Sequence, residues 1–209
     1  PITVSICGYA LAAAIIFTYV GQSGEYAVAG YGVGTRIEQV VLLPILGINT
    51  AIISIIAQNY GANNLYRIKE TYFTAIKYAF VIMITAGALV FLSASVITSF
   101  FSSDPEVIEY GKRYLKISAF VLPAYPVFFL SNGCFMALKK SENAMISNFF
   151  RNVLNPIVVF YIAKHIGASF ETFFWIWVGI NWFFSISYFF VIIYYFKAKL
   201  NKSSAVVHP

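Results

Sequence analysis

Between Val40 and Ala57 the chain runs without a charge, yet Pro44, Gly47 and Asn49 stand in the middle of that run. A proline removes a helical hydrogen bond and an asparagine carries a polar amide into apolar surroundings, so a soluble core helix has little use for that order. A membrane helix tolerates such residues where it faces protein or lines something wet. Pro44 leaves the carbonyl of Val40 without its helical partner, and Gly47 and Asn49 follow within two turns. This face is therefore expected to meet protein or water rather than lipid.

The rest of the chain is built in the same way. Hydrophobic residues make up 60% and charged residues 11%, against roughly 45–50% and about 25% in an average soluble domain. Length then bounds a number of spans and not the size of a water-soluble core. The spans are read at about residues 2–20, 33–59, 78–101, 117–138, 144–163 and 172–196, with the polar residues 200–209 as a disordered tail. The first span lacks a basic flank and is read as a span rather than a signal peptide. The chain begins at Pro1, without a methionine and already inside that span, as a fragment would. Gln58–Lys77 reads as the first substantial polar loop, and Ser103 or Asp104 as an N-cap with Glu106 in the following first turn.

Loop charges give the orientation. The Gln58–Lys77 loop, the Lys139–Lys140 turn and the tail share one side with Arg67, Lys69, Lys77, Lys139, Lys140, Lys197, Lys199 and Lys202, while most acids lie opposite. The positive-inside rule places that side, and the carboxy terminus, in the cytoplasm. The net charge of +6 is spread over short loops, so nucleic acid is not an expected partner.

Six groups of residues draw attention. Gly30 and Gly34, four apart, make a smooth strip for close helix approach; a dinucleotide fingerprint would need a glycine where Thr35 stands. Arg36 and Glu38, two apart, cannot face one another on a helix and must each find another partner or water; with Gln39 they are candidates for the outer mouth of a transport pathway. Pro123 and Pro126 bracket Tyr125 and release the carbonyls of Ala119 and Leu122, a kink that serves either packing or motion. Asn148, Arg151, Asn152 and Asn155 recur at helical spacing, with Pro156 freeing the carbonyl of Asn152. Such a stripe is costly in a membrane unless it lines a cavity or bonds to neighbouring helices. Asn132 is a weaker case of the same kind. Gln58, Asn59 and Gly61 read as a structural C-terminal cap, hinge or cytoplasmic gate. Cys7 and Cys134 lie in apolar segments and read as inert thiols, His165 and His208 sit in a loop and a tail, and no catalytic or metal motif is present. No enzyme activity, cofactor or metal is expected.

The run GYGVGTRIEQVVLLPILGINTA, followed by IAQNYGANNLYRIKE, resembles the eighth transmembrane helix and following cytoplasmic loop of the MATE (multidrug and toxic compound extrusion) transporters. The resemblance implies an all-α membrane bundle that forms the carboxy-terminal six-helix lobe of a twelve-span protein in a prokaryotic inner membrane. It implies efflux of amphipathic organic cations by antiport with H+ or Na+, through a cleft that opens alternately to each side. Its partners would be the lipid bilayer, the amino-terminal lobe of the same polypeptide and small cationic substrates. In the family the helix corresponding to span five lines the central cleft. Some branches carry cation-binding carboxylates in the helices corresponding to spans one and four; none stands there here, which favours a coupling-ion site in the amino-terminal lobe. A lipid-linked saccharide flippase of the same superfamily and a non-transporting membrane scaffold are the alternatives.

Overall fold

A computed structural model describes the backbone of residues 2–204 and the side chains of residues 10–198. Among the described residues it is helical, with no strand. The order is α1 (Ile2–Gly21), α2 (Glu25–Gly61), α3 (Leu65–Ser99), α4 (Pro105–Ser118), a 3-10 turn (Leu122–Ala124), α5 (Tyr125–Ala137), α6 (Ser141–Phe149), a π turn (Phe150–Leu154), α7 (Asn155–Ile166) and α8 (Phe170–Ser204). Among the described residues, four stretches are long and apolar enough to cross a bilayer: Glu25–Gly61, Leu65–Ser99, Pro105–Ala137 and Phe170–Ala198. The third is the centre of the bundle, since 72% of its apolar window is buried against 17–28% in the other three. The apolar surface left on the outer helices, among it Leu43, Leu92 and Phe183, is what a lipid environment requires.

Several boundaries move outward from the sequence reading. The second helix begins at Glu25, not near Val33, and the expected loop from Gln58 to Lys77 shrinks to Ala62–Asn64. Polar residues do not stop a helix once it leaves the hydrocarbon, because water satisfies the backbone there as well as a loop would. At the start of α3 the Asn64 side chain accepts from the Arg67 N–H at 3.2 Å, and Arg67 pairs with Glu70 at 3.0 Å. Gly61 is the last residue of α2 but does not turn the chain; Asn63 does, at a φ of 55°. Asn59 donates its amide to the Ile55 carbonyl at 2.8 Å. The last helix continues through Ser204, so the first part of the expected tail is helical, and residues 205–209 lie outside the described residues.

Other local readings hold. Asp104 caps α4, its Oδ1 accepting from the Glu106 and Val107 N–H groups at 2.9 and 3.4 Å, with Glu106 in the first turn. Gly30 and Gly34 bring α2 and α4 together. A Cβ on Gly30 would lie 2.7 Å from the Gly111 nitrogen, and one on Gly34 would strike the Tyr114 ring.

The prolines differ in what they do. Pro44 is exposed within a continuous α2. Pro123 and Pro126 stand in the first turns of the 3-10 segment and of α5, where no donor is missed. They mark a break in the central helix between Ser118 and Leu122. Its carbonyls find partners there: the Tyr125 N–H bonds Leu122 O, and the Trp182 indole donates to Phe120 O at 2.9 Å. Ahead of Pro156 the chain widens into the π turn, which splits span five.

Candidate functional site

The π turn redistributes the polar stripe of span five, because a wider turn shifts every later side chain around the helix. Arg151 and Asn152, inside the turn, line a cavity of about 210 Å³. Asn155, just beyond it, is fully buried with neither amide atom hydrogen-bonded. Asn148 is half-buried and does not line the cavity. The stripe therefore does not act as one face.

Opposite the π turn, α2 contributes Tyr31, Thr35, Glu38, Gln39 and Leu42. At about 1.5 Å per residue, Glu38 lies about 20 Å along α2 from its start at Glu25. Its carboxylate is half-buried and fully engaged: Tyr114 donates to Oε2, and Tyr125 donates to Oε1 at 2.5 Å. Two phenol hydroxyls from two different helices thus fix one carboxylate, and charge-assisted bonds of this kind are stronger than neutral ones. Arg36, two residues away, is exposed and not part of the cavity.

Aromatic rings close the remaining walls. Phe17 comes from α1, Tyr114 from α4, Tyr125 and Phe129 from α5, and Phe174 and Trp177 from α8. Tyr31 stacks on Phe174 at 5.4 Å between centroids and meets Tyr114 edge-on at 5.0 Å. The Arg151 guanidinium lies over Phe128, Tyr125 and Phe129 at 4.3, 4.9 and 5.3 Å from their centroids. Its Nε donates to Asn181 Oδ1 at 3.5 Å, and the Asn181 amide in turn donates to the Trp177 carbonyl at 2.9 Å. The cavity thus holds one acid and one base, both seated among rings.

Of the candidates named from the sequence, Glu38, Gln39, Tyr125, Arg151 and Asn152 meet here. Asn49 and Asn132 do not; they pack between helices. The Asn49 side chain fills the space over Gly133, and Asn132 donates to the Ala144 carbonyl at 3.4 Å. Sequence reasoning missed Tyr114, Phe174, Trp177 and Asn181. Asn181 had a signal, as a lone amide within the apolar last span, whereas one aromatic among many in a phenylalanine-rich helix has none.

Residues 1–162 match the MatE family. The chain is 26% identical to the FAD transporter of Shewanella oneidensis, covering 69% of this chain and 32% of that protein. It is 24% identical to the probable multidrug resistance protein YpnP of Bacillus subtilis, covering 78% and 34%. The chain thus spans about a third of the length of these relatives. Among solved structures, a MATE transporter in its bent conformation superposes with a TM-score of 0.85 at 25% identity, over 96% of this chain and 44% of that one. With the family pattern running through most of its length and the fold of half a MATE transporter, this integral membrane chain belongs to the MatE family.

Proposed function

We propose that the chain is the carboxy-terminal lobe of an exporter that moves amphipathic organic cations by antiport with H+ or Na+. The observation that carries the reading is the cavity itself: one carboxylate, Glu38, held by tyrosines and walled by aromatic rings. A flat cation gains there twice, from the carboxylate and from ring faces whose negative quadrupole attracts it. The relative named as a probable multidrug resistance protein supports an export role. Glu38 draws the cation in, Gln39 and Asn152 offer polar contacts beside it, and the break at Pro123 and Pro126 lets α5 tilt as the cleft opens to one side or the other. The second lobe comes from the amino-terminal half of the same polypeptide, which also holds the coupling-ion site. The protein lies in a prokaryotic inner membrane with its carboxy terminus in the cytoplasm.

A flippase for lipid-linked saccharides fits less well. A pyrophosphate head group asks for several basic side chains, and Arg151 is the one that lines this cavity. Reconstitution into vesicles tests the proposal. Ethidium movement should follow an imposed proton or sodium gradient and stop when the gradient is dissipated; a protein that carries no organic cation under either gradient is not this exporter.

A further inference from the structure

Arg151 is placed as a substrate cation would be. Its charge lies over three ring faces of one helix, Tyr125, Phe128 and Phe129. Two of those rings line the cavity that holds Glu38. Among the described residues no carboxylate lies within 4.0 Å of its nitrogens, since both oxygens of Glu38 are taken by tyrosines. Its hydrogen bond to Asn181 is long, at 3.5 Å. An arginine held by rings, one long bond and the charge of a carboxylate it does not touch is retained more weakly than one in a bidentate carboxylate pair. Its backbone is also the least regular of span five, a π turn followed by a proline that leaves Asn152 O without an α-helical donor.

We propose that Arg151 is a tethered stand-in for the substrate: it occupies the aromatic site in the empty protein and is displaced when an organic cation enters. The inference rests on the cation-export reading of the cavity. Arg151 and Glu38 neutralise each other's charge while the cavity is empty. A second cation makes the site net positive, so the guanidinium leaves the rings as the substrate takes them, and the π turn gives it room to swing. When the substrate departs, Arg151 returns and prevents rebinding. Arg151 therefore weakens substrate binding and speeds release.

The test is ethidium binding to the full-length protein in detergent, followed by fluorescence anisotropy, alongside transport in vesicles. Arg151→Gln should bind ethidium three- to tenfold more tightly than wild type, and in transport both KM and kcat should fall because release slows. Arg151→Lys keeps a cation on the rings and should restore weak binding and fast turnover. Arg151→Met retains the apolar stem and should behave as Arg151→Gln does, which covers the case in which the glutamine variant fails to fold. An unchanged ethidium affinity in correctly folded Arg151→Gln or Arg151→Met overturns the proposal. So does weaker binding of the anionic dye fluorescein by Arg151→Gln with ethidium unaffected, because the arginine is then an anion anchor. If wild-type protein transports ethidium while the variants show no tightening, only the stand-in role fails. If neither wild type nor variants bind or move ethidium, the export reading fails and this inference with it.

Discussion

At the scale of single residues, the cavity depends on where the chain omits a side chain as much as on where it places one. Gly34 leaves room for Tyr114, and Tyr114 holds Glu38. Gly34→Ala should push the ring away, cost about 1–3 kcal/mol through overpacking and loosen the carboxylate. Gly32, two residues earlier, has nothing within 4 Å of a would-be Cβ. Gly32→Ala should be neutral or stabilise by up to about 1 kcal/mol through lower chain entropy. Thermal unfolding in detergent separates the two; equal midpoints would show that the strip is not a packing surface. The two charges of the cavity should act with opposite signs. Glu38→Gln should weaken ethidium binding by about tenfold, the equivalent of about 1.4 kcal/mol. In the double variant Glu38→Gln with Arg151→Gln, affinity should move back toward wild type. The glycine strip was legible in the sequence from its spacing alone. Which tyrosines would reach Glu38 was not, because Tyr114 and Tyr125 are 76 and 87 residues away along the chain.

At the scale of elements, proline positions were legible and their consequences were not. Pro44 and Pro156 both sit within apolar spans, yet α2 remains one helix while span five opens into a π turn. The two differ in their surroundings: Pro44 is exposed, whereas Pro156 is buried. Pro156→Ala returns an N–H that can bond to Asn152 O. It should regularise the turn, raise the unfolding midpoint and carry Arg151 off the α5 rings, so that ethidium affinity changes as it does in Arg151→Gln. A higher midpoint with unchanged affinity would separate the turn from the site. The break in the central helix makes a similar statement about Trp182. Trp182→Phe removes the donor to the Phe120 carbonyl and should cost about 1–3 kcal/mol, the penalty for leaving a carbonyl unpaired away from water. Phe120→Leu should cost less, since the indole bonds to the backbone. Urea or thermal unfolding of the two variants side by side measures the difference.

At the scale of the whole molecule, orientation follows from the loops. Asn63 lies in the turn between α2 and α3, and Ser103 lies just before α4. In a background with Cys7 changed to serine, and with Cys134 buried, Asn63→Cys should react with an impermeant maleimide only from the cytoplasmic side and Ser103→Cys only from outside. The reverse pattern would invert the topology and place the basic loops on the wrong face.

The sequence by itself determined that this is a helical membrane bundle, where α4 begins, and which surface of α2 is smooth enough for a neighbour. Those properties are local: apolar length, capping and side-chain size act within a few residues of one another. It also pointed to Glu38 and Arg151, since charges inside an apolar span stand out in one dimension. Only the tertiary structure decided that the two share a cavity, that two tyrosines hold the acid, and that three rings of α5 hold the base. Hydrogen bonds and ring contacts between separate helices depend on rotation and register about each axis. Arg151, inside the wider turn at Phe150–Leu154, lines the cavity, and Asn155, just past it, is buried in the packing.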